Sequence, residues 1–246
     1  MAGADRSPSS SQAQAGALFF AQVDEAAAPP HRRLTWRIGD AVREVIERLV
    51  DTTAPDDDLD RMAAELEGVV GRLRRFSHGR RYETWAEAST AVGPGDGPGE
   101  AHLDFSPVLG RANPLAPPLT LRLVDGDGGS WPTVVGDVTF GSAYEGPPGC
   151  VHGGILAAAF DEVMGATQTL SGQPGMTGTL TVTYRSPTPL HQPLRFRSVI
   201  DRIEGRKIHV AATVTAGDRL CAEATGVFIS VDFERLIEMQ RKRDAG

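Results

Sequence analysis

Cysteine is nearly absent. Cys150 and Cys221 are the only two in 246 residues, too few for a disulfide framework or a four-thiolate zinc site, and both read as free, buried thiols. No apolar run approaches the roughly 18 residues that a membrane-spanning helix needs. The opening stretch MAGADRSPSSSQAQAGALFF has neither the charged nor the long apolar region of a secretory signal, so a cytoplasmic protein with no membrane span is expected. Positive charge is also in deficit. Lys and Arg number 25 against 32 Asp and Glu, a net charge of −7, which leaves no surplus of cations to neutralise phosphates and sets aside a general nucleic-acid binder. HExxH, paired-cysteine, P-loop and strand-borne GxGxxG motifs are missing, and no internal repeat appears. What remains is ordinary for a globular chain, with 40% hydrophobic and 23% charged residues and enough length for one large domain with an extension.

Residues 1–35 are rich in Ala, Ser, Gln and Pro and read as a flexible tail with a small apolar anchor at Leu18, Phe19 and Phe20. From Ile38 the apolar residues Ala41, Val42, Val45, Ile46, Leu49 and Val50 recur at three and four, which predicts an amphipathic helix. A second follows Thr53-Ala54-Pro55-Asp56, with Leu59, Met62, Leu66, Val69, Val70 and Leu73 on one face. The two are expected to form a helical hairpin whose apolar stripe covers another part of the protein. With the Gly- and Pro-rich linker at 93–99, this extension occupies 36–100, ahead of a domain over 101–235 and a C-terminal tail over 236–246.

Strand patterns then appear at 119–124, 133–140, 178–184, 194–203, 207–216 and 220–231. One helix, Ile155 to Ala166, interrupts them and is apolar nearly all round, the mark of a helix buried inside the fold. These elements predict an α+β fold in which an antiparallel sheet of five or six strands wraps a central helix, its last three strands joined by tight turns at Glu204-Gly205 and Gly217-Asp218.

The chemistry concentrates where the loop Tyr144-Glu145-Gly146-Pro147-Pro148-Gly149-Cys150-Val151 runs into His152-Gly153-Gly154 at the helix start. A Gly within a helix is worse than Ala by about 1 kcal/mol, so the pair points to close approach of a ligand or partner. Free N–H groups there, at the positive end of the helix dipole, suit an oxyanion. Asp161 follows Phe160 in the apolar helix, where a carboxylate must reach a partner, water or substrate, and where burial would raise its pKa toward that of a general base. Of Asp161 and Glu162, one is expected to point to solvent.

The combination of His152-Gly153-Gly154, an acid nine residues after the histidine, the run Thr179 to Pro187 and Glu204-Gly205-Arg206-Lys207 resembles the hotdog-fold acyl-CoA thioesterases, over about residues 119–232. Within them it is most similar to the phenylacetate-degradation type and the vertebrate members with a Glu-Gly-Pro-Pro-Gly approach loop. The resemblance implies hydrolysis of an acyl-CoA thioester in fatty acid metabolism, without metal or tightly held cofactor. It implies that the Gly153 N–H polarises the thioester carbonyl, that His152 shapes that turn, that Gly154 lies against the substrate, and that Asp161 acts as base or nucleophile. Thr177 matches a position that orients water or the carboxylate, and Arg185, Arg206 and Lys207 are candidates for the phosphates of CoA. Some relatives carry Asn where this chain has Gly146. A non-catalytic acyl-CoA-binding module and a hotdog enoyl-CoA hydratase are the alternatives. Gly153 and Asp161 lie eight residues apart, about 12 Å along a helix, so one carbonyl cannot meet both in one subunit, and a homodimer or dimer of dimers with shared sites is expected.

Overall fold

The computed structural model describes residues 28–76, 103–126, 131–173 and 175–231, together with Phe20, Glu25 and Ala26. The expected linker at 93–99, Leu18, Phe19 and the C-terminal tail lie outside the described residues. Helices α1 (Pro30–Val50) and α2 (Asp56–Leu73) precede strands β1 (Thr120–Val124) and β2 (Thr133–Val138). Helix α3 (Gly153–Gln168) leads to β3 (Gly175–Tyr184), β4 (Leu194–Glu204), β5 (Lys207–Ala216) and β6 (Arg219–Ser230).

All six strands form one antiparallel sheet in the order β1-β2-β4-β5-β6-β3. Glu204 pairs with Lys207 and Ala216 with Arg219 across the two expected turns, where Gly205 and Gly217 take the positive φ that such short hairpins require. β3 precedes β4 in the chain but lies beside β6 at the sheet edge. The connection between β3 and β4 is fastened on the way, with the Arg185 and Ser186 N–H groups bonded to the Cys221 carbonyl and the Leu190 N–H to that of Gly149.

The period-two patterns have a direct structural reading. β4 buries Leu194, Phe196, Ser198 and Ile200 and turns Arg195, Arg197 and Val199 outward, while β5 buries Ile208, Val210, Ala212 and Val214. α3 lies on this apolar face and buries Leu156, Ala159, Phe160, Val163 and Met164 against it. Phe160 meets Phe196 edge-on, with ring centroids 5.0 Å apart. This is the hotdog arrangement of helix and sheet that the sequence predicts.

The extension behaves differently in its two halves. α1 begins at Pro30, earlier than the periodicity predicts, because a proline at a first helical position forfeits only an N–H that has no helical partner. A buried ion pair, Arg32 Nε to Asp104 Oδ2 at 2.6 Å, fastens it to the domain, and Trp36 is stacked by the guanidinium groups of Arg32 and Arg111 at 4.9 and 5.2 Å. α2 keeps a favourable acidic first turn at Asp56, Asp57 and Asp58 but buries none of its residues. Met62, Leu66, Val70 and Leu73 stay exposed, so the stripe expected to cover another part of the protein covers nothing among the described residues. Phe20, from the expected apolar anchor, packs against the core, and Cys150 is half-buried rather than buried.

Phe160→Ala removes a fully buried ring and should lower the unfolding free energy by about 3–5 kcal/mol, read as a fall in the urea midpoint. Val199→Ala, on the outward face of β4, should change it by less than about 1 kcal/mol.

Candidate active site

The approach loop is a closed hairpin. Glu145 pairs with Val151, the Gly146 N–H bonds to the Cys150 carbonyl at 2.9 Å, and Glu145 Oε1 accepts the Gly149 N–H at 2.6 Å. The closure brings Gly146 against the backbone of His152, where a Cβ would come within 2.7 Å of the histidine Cα. No side chain fits at this position in this loop, so an amide like the Asn of some relatives has no place here.

His152 caps α3, its Nδ1 accepting the Gly154 N–H at 3.0 Å while its carbonyl accepts the N–H groups of Ile155 and Leu156. Of the first-turn donors, only the Gly153 N–H carries no hydrogen bond among the described residues. It stands at the positive end of α3, where an anion is stabilised. The glycine pair also has an internal reason, since a Cβ on Gly154 would press on the His152 ring at 3.2 Å and one on Gly153 on the Tyr184 hydroxyl at 3.2 Å. That hydroxyl donates to the Gly153 carbonyl at 2.7 Å. The sequence assigns Tyr184 no role, although it ends a strand pattern and lies within the run Thr179 to Pro187 that carries the resemblance.

Two turns further along α3, Asp161 is half-buried and its Oδ1 accepts the Thr177 hydroxyl at 2.8 Å. The structure thus brings together Thr177 and Asp161, two residues that the resemblance singles out. A β-bulge makes the contact possible. Thr177 pairs with Phe228 and Thr179 with Val227, so Gly178 is an extra residue in the ladder. Leu180, Val182 and Tyr184 face α3, and strict alternation would send Thr177 to the opposite face of the sheet. The inserted residue reverses the alternation and turns Thr177 toward Asp161. β3 accordingly starts at Gly175, before the bulge, and not at Gly178 as the pattern suggested.

The neighbouring carboxylate corrects a further expectation. Neither acid is fully exposed; Glu162 is half-buried like Asp161 and is hydrogen-bonded by the hydroxyl of Ser106, whose oxygen also accepts the Val108 and Leu109 N–H groups. Burial, with the charge of Asp161 added, pushes the Glu162 carboxyl up to about 7 against the pull of the Ser106 hydrogen bond.

The three cations are not brought together within one chain. Arg185 is held by Glu223, with Nε to Oε1 at 3.1 Å, at the Tyr184 end of β3. Arg206 donates from Nε and Nη2 to the Ser230 carbonyl at 3.0 and 2.9 Å, and Lys207 is exposed beside it, at the Gly175 end. The strand between these ends is ten residues long, roughly 30 Å at about 3.3 Å per residue.

Residues 148–223 match the family model of the thioesterase superfamily. A crystal structure described as a thioesterase superfamily protein is 31% identical, with a TM-score of 0.68 over 86% of this chain and 95% of that one. Acyl-coenzyme A thioesterase THEM4 of Mus musculus is 39% identical over 97 residues, 39% of this chain and 42% of the relative. Acyl-coenzyme A thioesterase THEM5 of Homo sapiens is 32% identical over 96 residues, 38% and 39% of the two chains. The matched stretch spans about two-fifths of the length of these curated relatives.

Glu162 should give stability a pH dependence. Its carboxyl is raised in the fold, so the protonated group is at full advantage below the ordinary value of 4.5, and that advantage is lost as pH rises through about 7. Glu162→Gln should therefore raise the melting temperature relative to the unsubstituted protein more at pH 8 than at pH 5; an equal difference at both would contradict the burial of this charge.

Proposed function

The chain belongs to the thioesterase superfamily, and on that premise we propose that it hydrolyses an acyl-CoA thioester to the free acid and CoA. The observation that carries this reading is the unbonded Gly153 N–H at the positive end of α3, with the Thr177-bonded carboxylate of Asp161 on the same helix. In the proposed reaction an oxygen nucleophile adds to the thioester carbonyl, either water that gives its proton to Asp161 or the carboxylate itself. The carbonyl electrons move to oxygen, which the Gly153 N–H stabilises. The C–S bond then breaks, and CoA leaves as the thiol once its sulfur has taken a proton. In the covalent route, water subsequently hydrolyses the acyl-aspartyl anhydride. Thr177 orients the carboxylate, and Tyr184 and His152 fix the backbone around the donor.

The separation of the two groups makes the site one of two subunits in this reading. They sit eight residues apart on α3, about 12 Å at about 1.5 Å per residue, whereas both must lie within about 3 Å of one reacting centre. β3 is an edge strand with one side unpaired in the sheet, and α3 runs antiparallel to it, with Gly153 beside Tyr184 and Asp161 beside Thr177. Antiparallel pairing of β3 with its copy about a two-fold axis would set the Gly153 end of one subunit against the Asp161 of the other. The same operation carries Arg185 of one subunit toward Arg206 and Lys207 of the other, giving a divided cationic mouth for the CoA phosphates.

Asp161→Asn should lower kcat by roughly 10² or more on a panel of aliphatic and aryl acyl-CoAs, with CoA binding retained; turnover above about a third of wild type would exclude its role. Gly153→Pro removes the donor at a position whose backbone admits proline, since residue 153 opens the helix and His152 already has φ −60° and ψ 131°, although its Cβ presses on the Tyr184 hydroxyl. Mixed with the Asp161→Asn chain, this inactive variant should recover one working site per heterodimer. Verified subunit exchange without recovered activity would overturn the shared site.

A further inference from the structure

Helix α1 lies outside residues 148–223, the stretch that the family model matches, yet it reaches the loop that sets the oxyanion donor. Near its C-terminal end, Glu47 accepts the Ser142 N–H at 2.8 Å and the Ala143 N–H at 3.2 Å. These residues open the 3-10 turn Ser142–Tyr144, from which the approach loop departs. We propose that Glu47 is a positioning residue for the oxyanion end of the site, acting through this turn on the backbone that presents Gly153; the inference rests on the thioesterase reading.

The connection from Glu47 to Gly153 is short and continuous. The Tyr144 carbonyl, at the end of the held turn, accepts the His152 N–H at 2.9 Å, and His152 in turn caps α3 through the Gly154 N–H. The Tyr144 hydroxyl donates to the Leu115 carbonyl at 3.0 Å, so the turn is tied down on its other side as well. One helical turn before Glu47, Arg43 donates to the carbonyls of Ala116, Arg111 and Asn113 at 2.8, 3.0 and 3.2 Å. Arg43 therefore fixes α1 against the domain, and Glu47 is delivered from a rigid element.

The receptor for the carboxylate is built for it. Gly141 leaves the space that the carboxylate occupies, and a Cβ there would collide with Glu47. The Ser142 hydroxyl also reaches Glu47, and His191 Nε2 stands 3.0 Å from that hydroxyl oxygen. Partial burial acts against the charge, but the Ser142 and Ala143 N–H groups, the Ser142 hydroxyl and nearby His191 together hold the carboxyl below its ordinary value. The clasp is thus charged at neutral pH. α3 itself is held by its buried apolar side chains, so releasing the clasp loosens the loop without unfolding the helix.

The test uses the full chain with Glu47→Ala, Glu47→Gln and Gly141→Ala, the last keeping the carboxylate but displacing it. Glu44→Ala, which alters an exposed acid paired, among the described residues, only with Arg48, is the control. Glu47→Ala and Gly141→Ala should lower kcat about tenfold or more with KM within about threefold, because a misplaced donor weakens the transition state more than binding. Hydrogen exchange across 142–153 should rise in both. Glu47→Gln, which keeps one acceptor oxygen, should fall between, and Glu44→Ala should match wild type. Wild-type kcat in Glu47→Ala and Gly141→Ala would overturn the positioning role, as would a loss of kcat with unchanged exchange over 142–153. The unsubstituted chain and Asp161→Asn assayed alongside separate the two claims. If the unsubstituted chain turns over none of the acyl-CoA panel the thioesterase reading fails, whereas if it is active, Asp161→Asn is inactive and the Glu47 and Gly141 variants are unaffected, only the role of Glu47 falls.

Discussion

A helix packed into a sheet can present chemistry only at its first turn and along the strip that the sheet leaves uncovered. In α3 the buried flanks carry Leu156, Ala159, Phe160, Val163 and Met164, which leaves the Gly153 N–H at one end and the half-buried Asp161 two turns later. The rise of a helix is fixed by its hydrogen bonds, so no local adjustment brings these two groups to one atom. The remaining features of the site follow from that constraint. The proposed pairing of β3 edges supplies the missing half of each site from a second copy, and it reunites cations that one chain keeps at opposite ends of a strand.

Two local irregularities make the constraint usable. His152 takes the Gly154 N–H onto its own ring and so consumes a donor that would otherwise compete with Gly153, which concentrates the dipole's free end on one N–H. The bulge at Gly178 reverses the alternation of β3 within one residue, so the strand gives Thr177 to Asp161 and Tyr184 to Gly153 from the same face. A regular strand could do one of these but not both. Bulges of this kind are devices for aiming side chains, at a small loss of ladder hydrogen bonding.

The extension joins the domain mainly by polar contacts, with Trp36 the one large apolar side chain that α1 buries. Arg32 with Asp104, Arg43 with three carbonyls and Glu47 with two N–H groups attach α1 to the domain, while the apolar face of α2 remains uncovered. Such contacts add little net stability compared with burial of the same area, because each exchanges hydrogen bonds with water for hydrogen bonds within the protein. They are directional, however, and direction is what a loop beside a reacting carbonyl requires.

The sequence by itself determined the sheet and the buried helix and singled out Gly153 and Asp161, through period-two and helical patterning, a glycine pair at a helix start and an acid in an apolar run, whereas Thr177 and the role of His152 entered only through the family resemblance. Folding alone decided the rest. Placing β3 beside β6 depends on a connection across the sheet that no local pattern encodes, and the partners of Asp161 and Glu162 come from residues 16 and 56 positions away in the chain. The same distance hid Glu47, which as a sequence feature is one acid on the polar face of an amphipathic helix, indistinguishable from Glu44 one turn earlier. Its contacts at Ser142 and Ala143 lie 95 and 96 residues further on, and only the packing of α1 on the domain brings a carboxylate and two N–H groups from such distant segments into hydrogen-bonding range.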